Sequence, residues 1–397
     1  MAVSAFSEAN TAADSGFPAL SAMSEWTLNP ALTHLNHGAF GAVPRALDEV
    51  QSNWRRRMNA NPGQFIMDEL YGLLGETAVP VAKLVGTDAD RLAFVENASA
   101  GIATILADID FNPGDRGITT THVYGAVRNM LTEAKRRYGI EVIEVEVDCP
   151  VVDEAALLAS LEGAVGQGVR LVVIDHVSSA SALLMPVAEI VELCREHGVP
   201  VVVDGSHAPG MLELDIDAIG ADWYVGNCHK WLCGPRGAAF IVTAPDATGP
   251  RPLVVSHAYG NGFPGEFRKV GTRDNSAILT VPAAVNLHEV MGGAALRERN
   301  RALAAEAGQF LAEALGGQLA APQKTAMATI SLEGLPATFE AAAALRRAIR
   351  EQHQIEALTV VLAGRMWLRI SAHAYNCLDD NKLLASATPK AIAQLRA

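Results

Sequence analysis

From Pro44 onward the apolar residues Ala46, Leu47, Val50, Trp54 and Met58 recur at helical spacing, which predicts a helix stopped by Pro62-Gly63. A second helix is predicted over about 67–85, ended by Gly86. Beyond it the chain alternates short β-branched runs with longer helical stretches. The predicted strands are 92–95, 117–121, 141–147, 171–175, 199–204, 223–225 and 238–242. Runs such as Leu171-Val-Val-Ile174 and Val201-Val-Val203 lack polar alternation, the pattern of strands covered on both faces. Strand and helix in alternation predict an α/β sandwich around a largely parallel sheet. Ligands of such sheets bind beyond the carboxyl ends of the strands, where Asp204 is placed.

The pattern changes after about Thr280. A long helix from Val285 to about Gly316, with a candidate break at Gly292-Gly293, leads into Thr329-Ile-Ser-Leu332 and a helix through Arg350. Leu358-Thr-Val-Val361 and Trp367-Leu-Arg-Ile-Ser371 follow. These read as a smaller α+β unit with an antiparallel sheet. At the other end, Met1 to about Leu28 has little periodicity and is expected to be a mobile arm, with order beginning near Thr33. The expected organisation is an arm over 1–30, a large α/β domain over 31–280 and a small C-terminal domain over 281–397.

With 397 residues, half of them apolar, the chain can bury a large core. Its net charge of −13, with no basic block beyond Arg55-Arg-Arg57, argues against a nucleic-acid or anionic-membrane partner. Five cysteines with no CxxC pair suggest neither a disulfide framework nor a zinc site, so no metal is expected. A reducing, cytoplasmic setting fits this cysteine usage. The first thirty residues carry Glu8, Asp14 and Glu25 and lack a basic start, unlike a secretion signal. No apolar run approaches the roughly 18 residues of a transmembrane helix.

Two segments carry chemistry. Val201-Val-Val-Asp204-Gly-Ser-His207 puts an acid at the end of an apolar strand, and Asn227-Cys-His229-Lys230-Trp-Leu-Cys-Gly-Pro-Arg-Gly237 puts a lysine in a turn-rich segment after the next strand. Alone, the lysine reads equally as a surface residue and the acid as a turn cap. Together, in this order, they match the needs of a pyridoxal phosphate enzyme, which holds its coenzyme on a lysine and keeps the ring nitrogen protonated with a carboxylate. Glu96-Asn-Ala98-Ser99 follows a strand and opens a helix, whose N-terminus offers backbone donors to an anion; a plain N-cap reads the same way.

These motifs resemble the class V aminotransferase family of fold type I pyridoxal phosphate enzymes, over nearly the whole chain from Leu35 to Ser371. Leu35-Asn-His-Gly-Ala-Phe-Gly41, Ala60-Asn-Pro-Gly-Gln-Phe65, Thr121-His-Val-Tyr-Gly-Ala126 and Gly271-Thr-Arg-Asp-Asn-Ser-Ala277 look most like its isopenicillin N epimerase branch. The resemblance implies a mostly parallel seven-stranded sheet between helices, with a smaller C-terminal domain. It implies Lys230 as the Schiff-base lysine and α-carbon base, Asp204 at the pyridinium nitrogen and His207 at the ring's phenolic oxygen. Ala98, Ser99, Asn227 and His229 would hold the phosphate. Thr272 would reach the phosphate of a neighbouring subunit, which implies a homodimer with shared active sites. His122 is the preferred ring to stack on the coenzyme, with a core histidine as the bland alternative; Tyr124 could stack instead or act on the substrate as an acid. Arg369 would fork onto the substrate carboxylate, with Asn36 as a second contact. Arg273 is left between an interface role and a structural ion pair.

The fate of the substrate carbanion is open at this level. An epimerase or racemase acting on an amino-acid-type small molecule is the leading expectation, with His122 and Tyr124 as candidates for the second acid. A C–S or other β-lyase is the nearest alternative, then an aminotransferase. Cysteine desulfurases of the family carry a reactive cysteine shortly before the arginine, and residues 330–369 contain none. A non-catalytic binding protein on the same fold is opposed by the intact Lys230 and Asp204.

Overall fold

A computed structural model describes residues 19–151 and 154–396. Its strands, in chain order, are β1 (Thr33–His34), β2 (Leu92–Val95), β3 (Arg116–Thr120), β4 (Glu141–Val145), β5 (Val169–Asp175), β6 (Val201–Asp204), β7 (Trp223–Asn227), β8 (Ala239–Thr243), β9 (Met327–Leu332), β10 (Ile355–Glu356), β11 (Leu358–Leu362) and β12 (Arg365–Ser371). Seven of them form one sheet in the order β2-β8-β7-β6-β5-β3-β4. Pairing is parallel from β7 through β4, and β8 runs antiparallel to both its neighbours.

The valine-rich strands are covered on both faces, as their lack of polar alternation predicts. Val172, Ile174, Val201 and Val203 face one helical layer, which includes Leu70–Val85, Val187–Glu196 and Ser276–Val290. Leu171, Val173, Val202 and Val225 face the other, with Ala98–Asp108 and Gly125–Tyr138. Alternate residues of each strand thus serve opposite cores, the period-two rule of an extended chain.

The C-terminal unit is an antiparallel sheet of order β11-β12-β9. Its core is completed by the helices Ala294–Leu315, Phe339–His353 and Leu378–Arg396, through residues such as Leu311, Leu345, Ile349 and Leu384. The predicted break at Gly292-Gly293 separates the helix Ser276–Val290 from Ala294–Leu315, and both glycines take positive φ. The pair β1 and β10 is parallel and ties the N-terminal segment to this unit.

Two expectations are corrected. The first helix, Arg45–Ala60, does stop before Pro62-Gly63 as expected, but the second helix starts at Pro62 and not near Met67. Pro62 takes the first helical position, where its missing N–H costs nothing, and Asn61 caps the turn by accepting from Gln64 N at 3.2 Å. The chain then runs through a π-helical turn, Phe65–Glu69, straight into Leu70–Val85. Order also begins well before Thr33. Trp26 is wholly buried among Ala42, Val43, Leu47 and Tyr375 and donates to Ser21 Oγ at 2.9 Å, while Leu20 N donates to Ala374 O. One anchoring indole suffices to pin a stretch that has no helical or strand period. Residues 1–18 of the expected arm lie outside the described residues. Among the described residues, no helix is long and apolar enough to cross a membrane.

Candidate active site

A cavity of about 160 Å³ lies where the strand-end rule places it, lined by Asp175, Asp204, His207, Asn227, His229 and Lys230 among others. Asp204 is the last residue of β6, and its Oδ1 accepts from Ser206 N at 3.0 Å and Ser206 Oγ at 2.5 Å. The residue after it must be glycine, because a Cβ on Gly205 would sit 2.2 Å from the Tyr224 ring.

Lys230 sits in the turn after β7, with Nζ 3.0 Å from His207 Nε2. Burial lowers its pKa to about 8; Asp204 pulls the other way and Arg369 adds to the lowering. His207 is pushed well below the usual histidine range, first by burial and then by Lys230, Arg369 and His229. Its Nδ1 accepts from Trp231 Nε1 at 3.4 Å. The remaining proton of a neutral ring is then on Nε2, facing the lysine nitrogen. This arrangement favours Lys230 as a free amine, the form that can bind a carbonyl or take a proton.

The lysine's main chain is also clamped. Its carbonyl accepts from Cys233 N at 2.9 Å and from His37 Nε2 at 3.0 Å. His37 Nδ1 lies 2.9 Å from Tyr375 Oη, and its ring stacks on His373 with centroids 4.0 Å apart. His37, Cys233 and His373 bring their donor atoms within 4.8 Å of one another. A carbonyl can only accept, so His37 Nε2 carries its proton, and its lone pair at Nδ1 is taken by the tyrosine hydroxyl. The trio is therefore explained as hydrogen-bonded packing. Gly41, at φ +68°, lets the N-terminal turn come against this loop; a Cβ there would lie 1.8 Å from His229 O.

The phosphate-side residues are gathered but not all as expected. Asn227, last in β7, accepts from Ala98 N at 3.0 Å, so the Ala98 amide is already taken and Asn227 Oδ1 is spent on it. Asn97 Oδ1 accepts from Ala100 N at 2.9 Å. Ser99 lies between them on the cavity wall, at the N-terminus of Ala98–Asp108, the place where amides favour an anion. His229 lines the same cavity; its Nδ1 is buried without a partner, and burial followed by Lys230 lowers its pKa to about 4.

His122 and Tyr124 separate. Tyr124 lines the cavity and is 46% exposed. His122 is buried and bonded through Nδ1 to Ser181 Oγ at 2.9 Å, and is not among the lining residues. Burial lowers its pKa to about 4. Tyr124 thus takes the place on the cavity wall, while His122 lies outside the lining with its Nε2 buried and unpartnered. β3 ends at Thr120, and the following turn directs the two side chains to different places.

Arg369, on β12, is 1% exposed. It donates to Ser179 O and, at 3.1 Å, to Ser179 Oγ, and to Asn36 Oδ1 at 3.3 Å. Asn36 in turn donates to Glu356 Oε1 at 3.3 Å. The Arg369 Nε has no partner, and among the described residues no carboxylate pairs with this guanidinium. Burial lowers its pKa to about 10, which still leaves it a cation at neutral pH. Arg369 is not itself among the lining residues; Ser179, to which it is bonded, is. Thr272 is exposed and lines a separate cleft with Tyr71, His257 and Lys269; it does not line the cavity of its own chain. Arg273 forms an ion pair with Glu96, next to the helix start at Asn97.

Asp175, Ser179, Ser206 and Phe40 line the cavity without having been picked out in the sequence. Asp175 had one legible cue: it ends the Val-rich strand just before β6, the same position that marks Asp204.

The residues present fit pyridoxal 5'-phosphate. A buried amine with a lowered pKa, a strand-end carboxylate and a helix N-terminus line one cavity, and the cation Arg369 is bonded to Ser179 on its wall. The Aminotransferase class-V family pattern matches residues 42–384. An isopenicillin N epimerase of Streptomyces clavuligerus is 31% identical over 91% of this chain and 95% of its own length. An L-cysteine desulfhydrase of Arabidopsis thaliana is 31% identical over 90% and 87%. The solved structure of the cystine C–S lyase C-DES with cysteine persulfide superimposes with a TM-score of 0.76, covering 89% of this chain and 96% of that one at 22% identity, a likeness of fold. Another structure of C-DES has glycine linked to its pyridoxal phosphate cofactor. On these matches the chain belongs to the class V aminotransferase family and is a pyridoxal 5'-phosphate-dependent enzyme.

Proposed function

We propose that Lys230 carries the coenzyme and removes the α-proton of an amino acid, and that a group on the β-carbon then leaves, as in a C–S lyase acting on a cysteine-type substrate. The single observation that carries this reading is the buried Lys230 amine, 3.0 Å from a neutral His207. When bound, the coenzyme supplies an electron sink for the pair left on the α-carbon. Asp204 holds the charge of the ring nitrogen, His207 orients the lysine, and Ser99 with His229 donates to the phosphate. Arg369, held by Ser179 and Asn36, receives the substrate carboxylate as a bidentate donor. Its buried charge gains there the counter-ion that it lacks among the described residues. Freed when the substrate's amine takes its place, Lys230 takes the α-proton; the pair left behind becomes a Cα=Cβ double bond as the C–S bond breaks, the thiolate leaves to be protonated, and water hydrolyses the resulting enamine to keto acid and ammonia.

Elimination requires one base, and the cavity holds one amine. Inversion requires a second proton carrier on the other face. With His122 outside the lining, Tyr124 is left for that task. Epimerisation stays as the second reading because Tyr124 does line the cavity and because two epimerases, from Streptomyces clavuligerus and Amycolatopsis lactamdurans, match over 95% of their length. The exposed Thr272, away from its own chain's cavity, supports a homodimer in which it completes the partner's site. Purified enzyme given L-cysteine tests the choice: sulfide, pyruvate and ammonia in equal amounts support elimination. Substrate inverted with no keto acid, across a panel of amino acids, overturns it.

A further inference from the structure

Asp175 is a second buried acid in the cavity. It ends β5 as Asp204 ends β6, and the two are register partners on adjacent parallel strands. Such strands run about 4.8 Å apart and project register partners to the same face, so the two carboxyls are neighbours. Both are 4% exposed and both line the cavity. Their surroundings differ. Asp204 Oδ1 accepts two donors from Ser206, as suits a carboxylate. Asp175 Oδ2 is buried with no partner, and among the described residues no lysine or arginine forms an ion pair with Asp175. Burial and then Asp204 raise its pKa well above the carboxylate range, outweighing the Tyr124 amide from the turn after β3 and Lys230 from the turn after β7. An acid that stays neutral is a hydrogen-bond donor, and an unpaired donor facing a cavity points to an acceptor on what binds there.

We propose that Asp175 is a coenzyme-binding residue that acts as a neutral donor to the bound ring, so that Asp175 and Asp204 together present one charge and one O–H. This rests on the assignment of Asp204 to the ring nitrogen. The pair follows the rule that two carboxyls sharing a site do not both ionise. With one negative charge beside it the ring nitrogen keeps its proton, and the second carboxyl adds a contact without doubling the charge.

Holoenzyme variants test this by coenzyme dissociation constant and by the pH midpoint of the bound coenzyme's visible absorbance. Asp175→Asn keeps a neutral donor and is expected to leave the midpoint in place and the dissociation constant within about twofold of wild type. Asp175→Leu keeps the shape without the donor, and should weaken coenzyme binding about tenfold, the scale of one lost hydrogen bond in a buried site. A midpoint moved by Asp175→Asn would mean that the native residue carries charge, and overturns the proposal. So does wild-type affinity in Asp175→Leu. If that variant does not fold, the midpoint of Asp175→Asn decides alone. Asp204→Asn is the separate control: wild-type midpoint and affinity there would remove the assignment of Asp204 itself, whatever Asp175 does.

Discussion

Lys230 Nζ and His207 Nε2 are 3.0 Å apart in a pocket where burial lowers the pKa of both. A lysine in water titrates at about 10.4 and is almost wholly protonated at neutral pH. Here the amine is within reach at physiological pH, and the imidazole next to it stays uncharged. That pairing keeps the amine able to bind the coenzyme's carbonyl, and makes it a base at neutral pH once the substrate's amine has displaced it.

Replacing Lys230 with alanine removes both the coenzyme anchor and the base. The visible band of the lysine-linked coenzyme should vanish, and turnover should fall by about 10²–10⁴ or more, the range for a lost general base. Absorbance spectra and steady-state rates check this; an unchanged band would show that another group holds the coenzyme.

The lowered Lys230 pKa fixes the sign of a pH dependence. Coenzyme attaches to the free amine, so its attachment rate to coenzyme-free enzyme should rise about tenfold per pH unit well below the pKa and level off above about 8. Stopped-flow absorbance at a series of pH values measures it. A plateau reached only near pH 10 would mean that Lys230 is not perturbed.

Among the described residues Arg369 has no carboxylate partner, so its replacement breaks no ion pair there. Arg369→Gln should raise KM for the amino acid by about 30- to 150-fold, as for a lost charged contact of roughly 2–3 kcal/mol, with a smaller effect on coenzyme affinity. Equal losses in both would place Arg369 in the scaffold of the cavity.

His122 and Tyr124 should behave differently. His122→Asn loses packing and the Ser181 contact and should lower stability by about 1–3 kcal/mol while leaving KM near its native value. Tyr124→Phe keeps a ring on the wall and removes its hydroxyl. If elimination is the reaction, keto-acid release should persist within about tenfold; a complete loss would give the hydroxyl an essential proton transfer. Thermal unfolding and product assays separate these outcomes.

Much of the fold was legible because burial on both faces leaves an unmistakable mark on Leu171-Val-Val-Ile174 and Val201-Val-Val203, and because Gly292-Gly293 breaks a helix by its backbone freedom. Lys230 and Asp204 were legible since their chemistry needs a strand end before each. Trp26 was not, because one buried indole creates no period. Nor was the start of the second helix at Pro62, since a proline that ends one helix opens the next only where a cap such as Asn61 is in place. Asp175 and Ser179 become site residues through strand register and through Arg369, which lies 190 residues from Ser179 along the chain. The separation of His122 from Tyr124 is set by a turn whose geometry is not written in residue types.

The most direct measurement is proton exchange at the α-carbon. Enzyme incubated with L-cysteine and a panel of other amino acids in deuterated water, and followed by NMR, should replace the α-hydrogen of its substrate with deuterium or release a keto acid labelled from solvent. The Lys230→Ala variant should do neither. Loss of a β-substituent without inversion of recovered substrate fits the account. Product formed with the α-hydrogen retained, or exchange that survives in Lys230→Ala, would contradict it.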